Sequence, residues 1–248
     1  MGIRMTELRY FRKITAVIEQ KTMYRFWTVQ LLRFVSLFFI FSVAIAIYFY
    51  PGGNIHDPAQ AGYSVTHNFL SDLGGYQSRS GSGNLPSAIF FNFSMLLFAG
   101  VGISFLFVPR LFKEDPINHA LAMIGSIFFL LGTIFFAGVG LTPHDIYRDM
   151  HVFFAINAFR LLIPASIVYL IVLLRSPIEN RYAFVVMFFL ICTFSYVVYQ
   201  LISGSPMESR EEMVRQATIQ KLIALVNVVS IFSLSFAFSS RLKHLELD

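Results

Sequence analysis

Long runs of apolar residues alternate with short polar segments along the whole chain. Six of these runs lack Asp, Glu and Lys, and they cover residues 34–50, 87–109, 121–141, 151–174, 182–203 and 222–240. The hydrocarbon core of a bilayer is about 30 Å thick, and roughly 20 apolar residues in a helix cross it. The pattern therefore predicts an all-α, polytopic membrane bundle of six transmembrane helices, in a domain that covers residues 31–240.

The composition supports this class of protein. Hydrophobic residues make up 56% of the 248 residues and charged residues only 13%, whereas soluble domains carry roughly a quarter charged residues. A water-soluble globule and a disordered chain are thereby excluded. The single cysteine, Cys192, excludes an internal disulfide and a cysteine-based zinc site.

The first apolar run has two interpretations. Ala44-Ile45-Ala46 matches the small-x-small pattern of a signal-peptide cleavage site, but the run continues to Tyr50 after a long basic segment, which favours an uncleaved span. The basic residues also predict the orientation. On the side of both termini there are 13 Lys and Arg, and 5 lie on the other side, so both termini are predicted to be cytoplasmic in a multi-pass membrane protein.

Residues 1–30 form a basic segment before the first span. Leu8, Phe11, Ile14 and Ile18 recur at helical spacing, which predicts an amphipathic helix on the inner membrane surface. A solvated tail is the alternative, and residues 241–248 form a second cytoplasmic tail. The net charge of +5 reflects this cytoplasmic bias and attraction to anionic membrane lipids. Nucleic acid is not an expected partner.

The predicted outer loop between spans one and two contains a short amphipathic helix at residues 66–73. Gly74 is expected to end this helix in the left-handed conformation. A spacing of four places His67 beside Ser71, with Asp72 at the next position. The helix is interpreted either as an element on the membrane surface or as one whose His67, Ser71 and Asp72 face a cavity between the spans.

The predicted outer loop between spans three and four contains residues that are typical of the start of a helix. Thr142 is a helix N-cap residue, Pro143 suits the first helical position, and Asp145 completes a capping box. These roles predict a helix that begins at Pro143 and runs into span four. Capping does not account for His144 and His151, so both remain candidates for a functional role.

Imidazole and carboxylate groups from the two outer loops could bind a metal ion. His67, Asp72, His144 and His151 supply enough ligands for zinc or a similar ion if the loops meet. The sequence contains no HExxH motif and no pair of histidines four residues apart. A hydrogen-bonded cluster without metal at the water interface is the alternative.

Arg160 is the one charged residue inside an apolar run. It lies nine residues past His151, roughly 13 Å deeper at the helical rise, so it is expected near the middle of the bilayer with a partner inside the bundle. The apolar runs contain no Asp or Glu. The remaining partners are backbone carbonyls, a lipid phosphate, or the polar side chains of Asn157, Asn227, Tyr196, Tyr199 and Gln200.

Two further features accompany Arg160. Pro164 lacks an N–H group and leaves the carbonyl of Arg160 without its helical partner, so a kink is expected there. In span five, Cys192, Tyr196 and Tyr199 recur on one helix face. Either the arginine holds a kinked bundle together, or it captures an anion or a headgroup. The polar face of span five either lines a polar cavity or joins neighbouring helices.

Two segments carry a resemblance to a known family. Residues 68–74, Asn-Phe-Leu-Ser-Asp-Leu-Gly, with Pro86 and residues 90–92, Phe-Phe-Asn, resemble the six-span membrane proteins of domain-of-unknown-function family 998. Residues 140–145, Gly-Leu-Thr-Pro-His-Asp, followed by His151, are similar to that family's second outer loop. The resemblance covers spans one to four, and spans five and six only by hydropathy. It implies six helices with the Ser-Asp-Leu-Gly loop outside, and it implies no catalytic residues, because that family has no established activity.

More distant similarities exist. Residues 71–74, Ser-Asp-Leu-Gly, with a downstream proline and phenylalanine, resemble the family of the autophagy modulator DRAM and related GPI-anchor lipid-remodelling proteins. A looser similarity is to membrane-embedded zinc hydrolases of the ceramidase and progestin-receptor superfamily, which use Ser, Asp and several His near one face. Those proteins typically have seven spans and a histidine pair near the last ones, whereas residues 182–240 here contain no histidine.

Three functional hypotheses follow. The first is an integral membrane protein that binds a lipid or an anionic headgroup in an outward-facing polar cavity, with Arg160, Asn157, Tyr196, Tyr199 and Gln200 as headgroup-binding residues. The second is a metal-dependent lipid hydrolase, in which zinc is the possible cofactor, Ser71 and Asp72 are the catalytic candidates, and Ser71 or a metal-bound water is the nucleophile. The third, a small-solute or proton-coupled transporter, is least favoured because acids are absent from the spans.

Overall fold

The computed structural model describes residues 19–245, which form six long helices and no β-strand. We name them α1 to α6, and each is long and apolar enough to cross a membrane: Glu19–Phe49, Leu85–Phe105, Pro116–Leu141, Arg148–Leu174, Asn180–Ile202 and Arg210–His244. The predicted all-α bundle of six spans is confirmed. The predicted amphipathic positions Leu8, Phe11, Ile14 and Ile18 lie outside the described residues.

The six helices form a closed ring. Each helix packs against the next one along the chain, and α6 packs against α1. Residues 50–84, 142–147 and 203–209 connect helices at one end of the bundle, which we call the loop end. Glu19 and His244 lie at the opposite end, the terminal end, because the number of spans is even. The cytoplasmic location of the terminal end stays a prediction from the basic residues.

Aromatic side chains hold the bundle together in its terminal half. The ring of Phe105 on α2 stacks on Phe129 of α3 with centroids 3.7 Å apart. It also meets the edges of Tyr169 on α4 and Phe238 on α6 at 5.2 and 5.8 Å. Such geometry adds about 0.5–1.5 kcal/mol per pair beyond the burial of apolar area. One phenylalanine thereby joins four of the six helices.

Residues 50–84 fold over the loop end and contain only one short helical segment, a 3-10 turn at Leu70–Gly74. The predicted helix over residues 66–73 is therefore too long. Gly74 does not adopt a left-handed conformation, so that expectation was wrong. A Cβ atom at this position would instead collide with Phe91 and Asn92 of α2. Glycine is required here because the turn approaches α2 so closely.

The second connection at the loop end also differs from the prediction. Helix α4 begins at Arg148, not at Pro143, and residues 143–147 form a single turn in which the N–H of Tyr147 donates to the carbonyl of Pro143 at 2.8 Å. Thr142 follows the end of α3, where its Oγ1 donates to the carbonyl of Gly138 at 2.8 Å. Its hydroxyl is engaged with the preceding helix and does not cap a new one.

Candidate functional site

A buried carboxylate organises the loop that covers the bundle. The side chain of Asp72 is fully buried, and its Oδ1 accepts a hydrogen bond from Nε of Arg79 at 2.9 Å. Its Oδ2 accepts from the backbone N–H of Phe69 at 2.9 Å and from Nδ2 of Asn68 at 3.1 Å. A charge held in this way is paired and fully hydrogen-bonded, as burial in a protein requires. Asp72 therefore fixes both the 3-10 turn and the chain around Arg79.

The second loop brings His144 to the same carboxylate. Its Nε2 lies 3.7 Å from Oδ1 of Asp72, and its Nδ1 is buried without a hydrogen-bond partner. Burial, followed by the Arg79 charge, lowers the pKa of His144 to about 4 against the opposing effect of Asp72. The imidazole is neutral at physiological pH. Its ring centroid lies 6.0 Å from that of His151.

Side chains at the N-terminal end of α2 attach the 3-10 turn to this helix by hydrogen bonds. Nδ2 of Asn84 donates to the carbonyls of Leu73 and Gly75 at 3.1 and 2.9 Å. Oγ of Ser87 donates to the carbonyl of Leu73 at 3.0 Å, and Nδ2 of Asn92 donates to that of Gly74 at 2.9 Å. These three side chains satisfy the backbone acceptors of a buried turn. They place the turn directly over the interior of the bundle.

Helix α6 holds the turn from the other side. Oε1 of Gln220 accepts from the N–H of Leu70 at 2.8 Å, and Nζ of Lys221 donates to the carbonyl of Asn68. The ammonium group of Lys221 also lies 5.6 Å from the ring centroid of Tyr63. Burial and the Asp72 charge raise the pKa of Tyr63 above its usual value, so its phenol stays protonated. The turn is thus attached to α2 and α6 together.

Beneath the turn lies a pocket with an enclosed volume of about 70 Å³, which we call the central pocket. Every helix except α5 contributes to its lining among the described residues. Its walls are mostly apolar and include five phenylalanines, Phe39, Phe91, Phe98, Phe136 and Phe159. Its polar side chains are Ser71, His151, Gln220 and Asn227.

His151 presents a defined hydrogen-bonding atom at this pocket. Its Nδ1 lies 2.7 Å from the carbonyl oxygen of Thr142. A carbonyl can only accept, so Nδ1 carries the proton and donates. In the neutral ring Nε2 is then a hydrogen-bond acceptor, on a side chain that lines the central pocket.

A second, smaller cavity continues toward the terminal end. It encloses about 20 Å³ and shares Asn227 with the central pocket. Oδ1 of Asn227 is buried and has no hydrogen-bond partner among residues 19–245. An unpaired buried acceptor is uncommon in proteins. The amide of Asn227 therefore offers a free polar contact between the two cavities.

The structure brings some predicted site residues together and separates others. Asp72, His144 and His151 lie close to one another, and Ser71 and His151 both line the central pocket. His67 is separate, because its ring contacts Ser64 and Thr66 and its Nε2 lies 3.3 Å from Arg210. Within residues 19–245, no group of three or more His, Cys, Asp or Glu is arranged to hold a metal ion.

The predicted headgroup residues lie away from the central pocket. Arg160 is exposed on the outside of α4, so the expectation of a buried guanidinium was wrong. Phe159 faces the pocket, and the next residue is rotated by about 100° around the helix. Asn157 is half-buried and donates to the carbonyl of Phe153 on its own helix at 2.8 Å.

The polar face of α5 also points elsewhere. Cys192, Tyr196 and Tyr199 line a groove between α5 and α6. The hydroxyl of Tyr199 donates to Oε1 of Glu212 at 2.9 Å. Oε1 of Gln200 is buried without a hydrogen-bond partner in the described part of the chain.

Gln220 and Arg79 are the functional candidates that the sequence reasoning missed. A signal for Gln220 exists in the sequence, because Gln220, Ala224 and Asn227 recur at spacings of four and three and therefore share one face of α6. Arg79 carries no comparable signal. It reaches Asp72 only because residues 73–78 fold back on themselves.

Comparison of the chain with protein-family models, with curated proteins and with solved structures found no match. The resemblance of spans one to four to six-span families therefore stays a prediction.

Proposed function

We propose that this membrane protein binds a lipid-like amphiphile with an uncharged polar head in the central pocket. The observation that carries the proposal is the lining of this pocket, in which aromatic walls meet a polar rim beneath the 3-10 turn. The enclosed space is about 70 Å³, so binding of an acyl chain requires the phenylalanine side chains around it to move apart. An apolar chain would lie among the phenylalanines, with the polar head near the loop end.

The lining supports an uncharged head. No Lys, Arg, Asp or Glu of the described residues lines the central pocket, and a charge buried without a partner is strongly unfavourable. The polar groups available near the loop end are the Ser71 hydroxyl, Nε2 of His151 as an acceptor, and the side-chain amide of Gln220. These groups match an alcohol or an ester, as in a monoacylglycerol. The anionic headgroup expected from the sequence is disfavoured on the same grounds.

The depth of the pocket also suits an acyl chain. Along α4 the lining extends from His151 to Phe159, which corresponds to roughly 12 Å at the helical rise of 1.5 Å per residue. The second cavity continues beyond Asn227 toward Leu234. A single extended chain that enters at the loop end would therefore remain within the bundle.

The alternative of a metal-dependent hydrolase has less support. His67 contacts Arg210 rather than the other proposed ligands, and Asp72 already accepts hydrogen bonds from three other groups. The residues present do not fit a zinc site, and we derive no reaction step from them. The proposed function is binding alone.

Binding of monooleoylglycerol to the purified protein in nanodiscs tests the proposal. Ala224 lines the pocket, so Ala224→Phe should fill part of it and weaken binding by about tenfold or more, a loss of roughly 1.4 kcal/mol. Leu222→Phe is the matched control, because Leu222 lies on the same helix and is 58% exposed. Equal binding by the wild type and both variants would rule out this pocket as the site.

A further inference from the structure

Arg160 is the one arginine of residues 19–245 that makes no hydrogen bond, ion pair or aromatic contact. Every other arginine in this range has a partner. Arg79 pairs with Asp72, Arg175 with Asp115 and Arg241 with Glu114, to take three examples. Arg160 is nevertheless in the middle of a membrane-spanning helix, where an exposed side chain faces lipid rather than water.

The position along α4 places this charge deep in the hydrocarbon. Arg160 is 12 residues from Arg148 and 14 residues from Leu174, the two ends of the helix, or roughly 18 and 21 Å at the helical rise. Each of these distances exceeds the length of an arginine side chain. The guanidinium therefore does not reach lipid phosphates at either surface without a local deformation of the bilayer.

The surface around Arg160 has the pattern of a helix-docking face. Phe153, Ile167 and Leu174 lie at seven-residue intervals from Arg160, and all three are exposed. Asn157, Pro164 and Ile171 form a second row beside the first, because each follows a member of the first row by four residues. This is the a and d spacing of helices that pack along a seam. Asn157 and Arg160 are its two polar positions, one turn apart.

Pro164 adds an acceptor at the same depth. It has no N–H group, so the backbone carbonyl of Arg160 lacks the donor that the fourth residue along a helix normally supplies. Arg160 therefore combines an unpaired cation with a backbone carbonyl that lacks its usual helical donor. Polar groups in this position are normally satisfied by another helix.

We propose that this face of α4, defined by Phe153, Asn157, Arg160, Ile167 and Ile171, docks a membrane-spanning helix of another protein that carries Asp or Glu at mid-span. Charge complementarity decides the kind of partner. A second copy of this chain does not supply the carboxylate, because its six apolar runs contain no Asp or Glu. The inference is independent of the central pocket, which α4 lines through His151, Ala155 and Phe159 on its other side.

A designed apolar membrane-spanning peptide with one central Glu is the probe. Its binding to the full-length protein is measured by energy transfer in phosphatidylcholine vesicles, against matched peptides with Gln or Leu at the central position. The wild type should prefer the Glu peptide to the Gln peptide by about tenfold. Arg160→Leu should abolish the preference, and Arg160→Lys should retain most of it because the cation remains.

The control variant is Arg181→Gln, since Arg181 is an exposed arginine paired with Glu179 at the start of α5. It should retain the full preference for the Glu peptide. Equal binding of the Glu and Gln peptides by the wild type, or a preference that survives in Arg160→Leu, would overturn the proposal. So would a preference that added phosphatidylglycerol abolishes, which identifies lipid as the occupant. Self-association of the wild type that Arg160→Leu removes would identify a second copy and would also overturn it.

Discussion

Replacing Asp72 by Asn should open the loop that covers the bundle while the helices stay folded. The substitution preserves the shape of the side chain and removes its charge. In the wild type Oδ1 accepts from Arg79, and Oδ2 accepts from Asn68 and from the N–H of Phe69. Whichever way the new amide is oriented, its NH2 group faces a donor. At least one buried donor then has no acceptor.

The expected magnitude follows from this geometry. Removing one partner of a buried ion pair costs about 3–5 kcal/mol. The side chain of Arg79 is 29% exposed, so water recovers part of the loss, and we expect about 2–3 kcal/mol for Asp72→Asn. An exposed pair such as Arg181 with Glu179 should contribute only about 0–1 kcal/mol. Arg181→Gln is therefore the matched control.

Hydrogen exchange of loop amides measures this directly, because it reports local opening without global unfolding. The amides of Asp72 and Asn84 are bonded within the loop, to the carbonyls of Phe69 and Tyr76. Their protection should fall by about 30- to 150-fold, which corresponds to 2–3 kcal/mol, with little change in the helix centres. Arg79→Gln should add little in the Asp72→Asn background. A fall in protection below about fivefold, equivalent to less than about 1 kcal/mol, would refute the role assigned to this pair.

Three other predictions concern separate parts of the protein. The pKa of His144 falls from 6.5 to about 4 on folding. The neutral histidine therefore contributes on the order of 3 kcal/mol to the free energy of unfolding above pH 6.5, and this contribution is lost as the pH falls through about 4. Thermal unfolding of the wild type should show this loss, and the pH dependence should be weaker in His144→Gln. A Cβ atom at Gly102 would meet Thr133 and Leu130, whereas one at Gly100 meets only Leu31 at 3.7 Å. Gly102→Ala should therefore destabilise the protein by about 1–3 kcal/mol in chemical unfolding, and Gly100→Ala should not; the reverse order would contradict the packing described. His151→Phe should reduce the preference for oleyl alcohol over its methyl ether by about fivefold, the value of one hydrogen bond, and an unchanged ratio would exclude Nε2 as the acceptor.

Hydropathy predicted the number and approximate position of the spans because burial in a bilayer demands long, continuous apolar runs. It did not predict which way each helix faces. Arg160 shows the reason. Its depth in the membrane follows from the number of residues between it and the helix ends, but the direction of its side chain does not, because consecutive side chains point about 100° apart around a helix. Phe159 lines the central pocket, and its neighbour Arg160 lies outside.

The loops were less predictable because several local signals compete there. Thr142, Pro143 and Asp145 have the spacing of a helix start, yet the Thr142 hydroxyl donates to Gly138 in the preceding helix, and Oδ2 of Asp145 accepts from the N–H of Gln77 in the other loop. The contact between His144 and Asp72 was foreseen as a meeting of the two loops. The Arg79 partner was not, because it depends on how residues 73–78 fold rather than on sequence spacing.

Photo-crosslinking shows directly whether an amphiphile occupies the central pocket. A monoacylglycerol with a photoreactive group in its head would be bound by the protein in nanodiscs, and the labelled residues would be identified by mass spectrometry. We expect labelling around Ser71, His151 and Gln220, and loss of this labelling in Ala224→Phe but not in Leu222→Phe. Labelling confined to the groove between α5 and α6, at Cys192 and Tyr196, or to the outer face around Arg160 would contradict it.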